Sequence, residues 1–200
     1  MMRSVKAKLV SAGAVVAMAG LAPSANAADK FLLDPTHASV LFGVSHLGFS
    51  KTFGRFNKVE GAFTLDADAP EKSSVVVTMD AASLDTNHEK RDEHLRGKDF
   101  FDVAQFPALT YKSTSVKLTG EKTAIVTGDL TMHGVTKSVP LDVTLVNVGP
   151  NPMDPAKTKI VAGFSARGTL KRSEFGMGYA APVLGDDVEI IIEVDAIKQP

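Results

Sequence analysis

Five histidines, His37, His46, His88, His94 and His133, together with the acids between Thr86 and Gly97, are the residues best suited to metal binding or proton transfer. Their spacing argues against both. His88 and His94 are six apart, so a helix turns them away from each other, and no His-x-x-x-His or comparable ligand pattern occurs. No Gly-x-Ser-x-Gly, phosphate-binding loop or dinucleotide fingerprint is present. The chain has no cysteine, which removes thiolate ligands and thiol nucleophiles and leaves the fold to be held by its core. The expectation is a protein that is not an enzyme and uses no cofactor or catalytic metal. An enzyme built on His88 or His94 is the rival, and loss of turnover on replacing either would reveal it.

The elements around those residues begin with a basic start, Arg3, Lys6 and Lys8, then the apolar run Leu9 to Ala22 and small residues at Ala25 and Ala27. This is the pattern of a cleavable signal peptide, residues 1–27, which predicts export to the periplasm. An uncleaved anchor is the competing reading, but the run is short of the ~20 apolar residues of a spanning helix. Cleavage after Ala27 leaves one domain of 173 residues, 28–200, with 19 basic and 23 acidic residues and a net charge of −4. Nucleic acid is an unfavoured partner for such a surface, and the mature part contains no stretch of membrane-spanning length.

Apolar and polar residues alternate through most of the mature region, the period of half-buried strands. Ala38–His46 places Val40, Phe42 and Val44 on one face; Phe56–Leu65 places Val59, Gly61, Phe63 and Leu65; Ser74–Ala81 places Val75, Val77 and Met79. Leu109 and Tyr111 follow, then Ala124 to Leu130, Val139 to Leu145, Ile160 to Leu170, and Val188 to Val194 with Glu189, Glu193 and Asp195 on the opposite face. Turn chemistry separates them at Asp66–Pro70, Thr119-Gly120-Glu121, Met132-His133-Gly134 and Gly149–Pro152. The pattern predicts an all-β fold of about eight antiparallel strands, closed into a barrel, with a two-sheet sandwich as the competitor. One interruption, Thr86–Gly97, predicts a short helix, with Thr86 and Glu89 as a capping box and Gly97 at the C-terminal cap. Its face of His88, Arg91, Asp92 and Leu95 is polar for a core helix. It is expected either to lie over a barrel end, with Arg91 and Asp92 in ion pairs, or to be a solvated connector.

Several blocks, in order, resemble the YceI-like family of polyisoprenoid-binding proteins across essentially the whole mature region. They are His46-Leu47-Gly48, Ser50 and Gly54-x-Phe56; Asp85-Thr86-Asn87-His88 with Arg91-Asp92 and His94-Leu95-Arg96; and Asp99-Phe100-Phe101-Asp102 running to Phe106-Pro107. Further blocks are Gly128–Thr131, Gly134–Lys137 with Pro140-Leu141, Ala162-Gly163-Phe164 and Leu184-Gly185-Asp186. The chain departs where relatives often carry Trp-Gly, since Asn151-Pro152 leads here to Met153-Asp154. The resemblance implies a lipocalin-like barrel with an elongated apolar cavity for an isoprenoid chain of quinone or polyprenyl type, fatty acids or amides being the alternative cargo, and it makes a homodimer plausible.

Expected ligand-binding residues are Phe42, Val44, Phe63, Val77, Met79, Tyr111, Leu130, Phe164 and Ile190 along the walls, each also consistent with plain core packing, and Phe49 and Phe53 flanking a Lys51 turn at the mouth. Inward Gly61, Gly128, Ala162 and Ala166 are expected to keep a channel open, unless the glycines mark bends or bulges. A scaffold for another protein in a membrane-linked stress or electron-transfer pathway is the remaining alternative; a side-chain-filled interior would favour it.

Overall fold

A computed structural model describes residues 28–200, so the expected signal peptide lies outside the described residues. The chain forms β1 (Asp29–His46), β2 (Ser50–Phe56), β3 (Val59–Leu65), β4 (Ser74–Asp80), β5 (Leu84–Asp85), the helix α1 (Glu89–Arg96), β6 (Ala108–Leu118), β7 (Thr123–Met132), β8 (Val135–Pro150), β9 (Ile160–Lys171) and β10 (Leu184–Lys198). Every pairing is antiparallel, and β10 returns to β1, closing the sheet into an eight-stranded barrel. Closure leaves the long strands no unpaired edge.

Ten strands make eight walls because β2 and β3 share one and β4 and β5 share another. The first half of β1 pairs with β3 (Leu32 opposite Ala62) and the second half with β2 (Val40 opposite Phe56). The kink at Asn57-Lys58 between them faces a bulge in β1 where the register shifts between Leu33 and Ala38. In that bulge Asp34 accepts from the Thr36 hydroxyl (2.6 Å) and backbone N–H (2.9 Å), so the chain satisfies its polar groups locally where the ladder fails. The two-residue β5 continues the β4 wall and pairs antiparallel with β2, Phe56 opposing Leu84.

Two differences from the sequence expectation follow. Strand β1 begins nine residues before Ala38, at Asp29, because the Asp34-Pro35-Thr36-His37 break is a bulge and not a start. The Lys51 turn is instead strand β2; the reversal occurs earlier, at Leu47-Gly48, whose φ angles of 55° and 74° suit a tight hairpin. His133-Gly134 repeats this geometry at 52° and 74° between β7 and β8, where a turn was expected.

The helix packs at the barrel end formed by the close of β1, β4 and β7. It begins at Glu89, with His88 as its N-cap and the His88 Nδ1 accepting from the Arg91 backbone N–H (3.3 Å). The expected capping box is not made. Thr86 stands two residues further out and uses its hydroxyl on other partners, described below. Gly97 is the C-terminal cap, but at φ −77°, a conformation open to any residue.

The interior has two packed regions. One joins Phe56, Leu84, Leu109, Met132, Phe175 and Met177 beneath the helix end. The other, at the opposite end, stacks Phe31 on Phe63 (4.9 Å between ring centroids), with Phe164 edge-on to Phe63 at 5.0 Å, over Ala162 and Ala196. These two groups pack part of the interior and leave the rest of it open.

Candidate functional site

Along the barrel interior lies a cavity of about 660 Å³. Its wall is built by the period-two rule: residues paired across neighbouring strands share a face, so one inward row runs Val77, Tyr111 and Leu130 across β4, β6 and β7. Phe42 and Ile190 form the matching pair across β1 and β10. Phe42, Val44, Phe63, Val77, Met79, Tyr111, Leu130, Phe164 and Ile190 all lie on the cavity wall, so the structure brings nine of the eleven candidate residues together.

Phe49 and Phe53 are not on that wall. Phe49 is 91% exposed just beyond the β1–β2 hairpin tip. Phe53 sits on the outward face of β2 opposite Gly43, and its ring lies over that glycine, where a Cβ would come within 2.9 Å of it. Treating the Lys51 segment as a loop placed both at a mouth; as a strand, it turns Phe53 away from the interior.

The small residues act differently from expectation as well. Of Gly61, Gly128, Ala162 and Ala166, only Ala166 lines the cavity. A Cβ at Gly128 would stand 2.5 Å from the Tyr111 Cζ, and one at Gly61 would stand 2.9 Å from a Leu33 methyl and 2.6 Å from the Val76 carbonyl. Each glycine makes room for a neighbour's side chain and not for a channel. Ala162 is fully buried in the aromatic cluster. The opening at Gly128 lets the Tyr111 phenol cross β7 and donate to the carbonyls of Val126 (3.0 Å) and Val139 (3.1 Å). Burial, with the charge of Asp129 second, pushes that phenol up to about 12, so it remains a neutral donor.

The helix end of the cavity is polar. Arg91 donates through Nε to the Thr86 hydroxyl (2.7 Å) and through Nη2 to the Thr86 carbonyl (2.6 Å). The buried Asp92 accepts from the backbone N–H (2.9 Å) and the hydroxyl of the same Thr86. Among the described residues, Arg91 and Asp92 do not form the expected ion pairs; both side chains converge on Thr86, which ties the helix to the chain that enters it. Arg172, 5% exposed, donates to the carbonyls of Gly185 (2.8 Å), Leu184 (2.9 Å) and Met177, and lies 5.9 Å from the Phe100 ring centroid. Burial lowers its pKa, against a smaller opposing effect from Asp186. The opposite end carries Asp66, Glu121 and Lys122 on its rim.

Leu33, Leu95, Phe101 and Met177 also line the cavity. Leu33 precedes the β1 bulge, while Phe101 and Met177 sit in irregular segments with no periodicity to expose them. The paired aromatics Phe100-Phe101 between charged residues were the available signal. The histidines are scattered: His37 bonds Asp34 (2.9 Å), His94 bonds Asp99 (3.0 Å) and His133 contacts the Phe175 carbonyl (3.0 Å). Among the described residues, no group of three or more His, Asp or Glu side chains is placed to hold a metal ion.

Residues 31–196 match the model of the YceI-like domain, a span that includes nearly the whole barrel. The chain belongs to the YceI-like family. It is 41% identical over 179 residues to Protein YceI of Escherichia coli O157:H7, covering 89% of this chain and 91% of that protein. The Campylobacter jejuni YceI crystal structure superposes with a TM-score of 0.69 at 29% identity, covering 78% of this chain and 90% of that one. A polyisoprenoid-binding domain from Saccharophagus degradans, implicated in plant cell wall breakdown, shares the fold at a TM-score of 0.61 and 16% identity, covering 84% of this chain and 98% of that one. No described helix is long and apolar enough to cross a membrane.

Proposed function

We propose that this protein is a periplasmic carrier that sequesters the chain of an isoprenoid lipid in its barrel without transforming it. The observation that carries the proposal is the interior: a cavity of about 660 Å³ walled by Phe42, Met79, Leu130 and Ile190, where a merely structural barrel would be packed solid. Allowing about 30 Å³ per methyl-sized group, the liquid volume of one water, the space admits roughly twenty such groups, or about four isoprene units. At about 0.8 kcal/mol per buried CH₂-sized group, each five-carbon unit contributes about 4 kcal/mol gross. Even after the cost of ordering the chain, tight binding follows from the tail alone. The polyisoprenoid-binding name of the Saccharophagus degradans domain agrees with this cargo, and the basic-then-apolar start of the chain supports export, with residues 28–200 as the mature domain.

The test is extraction of protein purified from the periplasm without detergent, with bound lipids identified by mass spectrometry against a denatured control. A stoichiometric isoprenoid is expected. Ala166→Phe, which places a ring into the cavity from β9, should lower the lipid occupancy while leaving the barrel folded. Folded wild-type protein that is empty and also refuses added quinone and polyprenol would refute the proposal.

A further inference from the structure

Exposed apolar side chains gather at one end of the barrel. Phe49 is 91% exposed, Val183 63%, Tyr179 47% and Leu47 45%. His46 pairs with both Ser50 and Leu184, so the tip of the β1–β2 hairpin and the segment that enters β10 lie side by side. The same His46 and Leu184 line the cavity, whose wall therefore runs without a break to the residues beside Leu47 and Val183. Leu47 holds φ 55°, a left-handed conformation that a bulky residue takes at a cost, and a strained side chain left half exposed points to a role outside the packing of the fold.

Charge separates this tip from the turns at the far end. Leu47–Ser50 and Gly178–Val183 contain no charged residue, and every residue of the two segments is exposed. Lys51, which follows the tip, is paired with Glu189 at 2.7 Å. The far end also exposes apolar side chains, Leu118, Val148 and Met153, but its turns set them among the acids Asp66, Asp68, Glu71, Glu121 and Asp154. On its own end of the barrel the patch meets the charged helix α1 at Tyr179, whose ring lies 5.3 Å from that of His94.

On the scale of about 200 Å² for a whole aromatic side chain, the four residues expose roughly 400 Å² of apolar surface. That is the size of a patch that marks an interaction site, but about half of the ~800 Å² per partner of a stable protein interface. It also sits on a projecting turn: Phe49 is almost wholly exposed, and a Cβ built on Gly48 would meet nothing within 4 Å. A narrow, uncharged tip suits a bilayer, in which each apolar side chain is buried and no charge has to be desolvated. We propose that the β1–β2 hairpin tip and residues 178–183 form a membrane-docking surface, with Leu47, Phe49 and Val183 entering the bilayer and Tyr179 at its headgroup boundary. The inference rests on the carrier function proposed above for its choice of partner, because a long isoprenoid chain is held in membranes and has to reach the barrel without crossing water.

The chain has no tryptophan, so Phe49→Trp and, at the far end, Met153→Trp each carry a single fluorescent reporter. Each is mixed with vesicles of equimolar phosphatidylethanolamine and phosphatidylglycerol that include a chain-brominated lipid, and quenching is read. Phe49→Trp should be quenched and Met153→Trp should not. In flotation with the same vesicles, the double variant Phe49→Asp, Val183→Asp should bind at least about tenfold more weakly than wild type, the least that burial of one phenyl ring is worth. Both positions are exposed, so its circular dichroism should match that of wild type. Quenching of Met153→Trp, or of neither reporter, overturns the inference, as does a double variant that floats like wild type. A wild type that sediments as a dimer and a double variant that sediments as a monomer, with Phe49→Trp unquenched, would give the surface to a second copy and overturn it as well. Lipid extraction reads the carrier function separately: a filled barrel that ignores vesicles refutes docking alone, and an empty barrel that docks refutes the carrier alone.

Discussion

Gly54→Ala probes the point where the cavity wall meets the segment that closes it. Gly54 faces inward on β2 opposite Phe42, and a Cβ there would stand 2.3 Å from the Phe42 Cζ, 2.8 Å from its Cε2 and 2.7 Å from the Thr86 Cγ2. Carbon atoms pack at about 3.5–4.0 Å, so the added methyl overlaps all three atoms by nearly an ångström or more. All belong to side chains, so the backbone can stay while the ring moves. Phe42 packs at 5.7 Å from Phe56 on one side and borders the cavity on the other, so it must turn into the cavity. Forced repacking of this kind costs about 1–3 kcal/mol, and about 2 kcal/mol is expected in urea unfolding. Phe42→Leu removes Cε2 and Cζ and leaves only the Thr86 contact, so in that background the Gly54→Ala cost should fall by about 1 kcal/mol or more, a coupling within the range for touching residues. Wild-type stability within about 0.5 kcal/mol for Gly54→Ala, or a cost that is the same with and without the ring, would refute this account of why the position is glycine.

Three further outcomes are expected. Tyr111→Phe removes the donor to Val126 and Val139 and should cost about 1 kcal/mol. Because the folded phenol ionises near 12 and an unfolded one near about 10, the stability tied to its neutral form is whole below about 10 and lost as pH climbs towards 12; this alkaline loss should shrink in the variant, as followed by circular dichroism, and an unaltered profile would argue against the buried donor. Asp34 is held down to about 2 by the hydroxyl of Thr36, by His37 and by the Thr36 backbone N–H, so its contribution is present above about 4 and lost as pH falls through about 2; acid unfolding of Asp34→Asn should lack that component. Thr86→Val leaves Arg91 without a hydroxyl acceptor and the buried Asp92 with one fewer donor, and a loss of about 2–3 kcal/mol in thermal or urea unfolding is expected, whereas a loss below about 0.5 kcal/mol would show that Thr86 does not tie the helix down.

The eight walls and most of the cavity lining are legible in the sequence because alternation alone decides which side chains point inward. Val77, Tyr111 and Leu130 face inward, as the alternation of their own strands predicts. Most of strand β2 escapes because its inward positions before Phe56, Thr52 and Gly54, are polar or lack a side chain, while its apolar Phe53 points outward; over that stretch the alternation is present with its hydropathy reversed. The roles of Gly61 and Gly128 escape for another reason. A missing side chain is visible in a sequence, but whether the space stays empty depends on a neighbour such as Tyr111 reaching across from another strand. The helix cap shows the same limit: Thr86 and Glu89 have capping-box spacing, but the hydroxyl has stronger partners in Asp92 and Arg91.

The seam that closes the barrel joins its first and last strands: β1 pairs with β10 from Phe31–Lys198 to His46–Leu184, Asp29 meets Lys198 at 2.7 Å, and Gln199 donates to the Lys30 carbonyl. Contacts so distant along the chain are slow to form. A chain delivered residue by residue from its N-terminus therefore keeps one flank of β1 unpaired, and its apolar interior wet, until Leu184–Lys198 has emerged. Shortening the C-terminal end does not make a smaller barrel; it leaves a gutter, with two sticky edges and nowhere to hide a lipid.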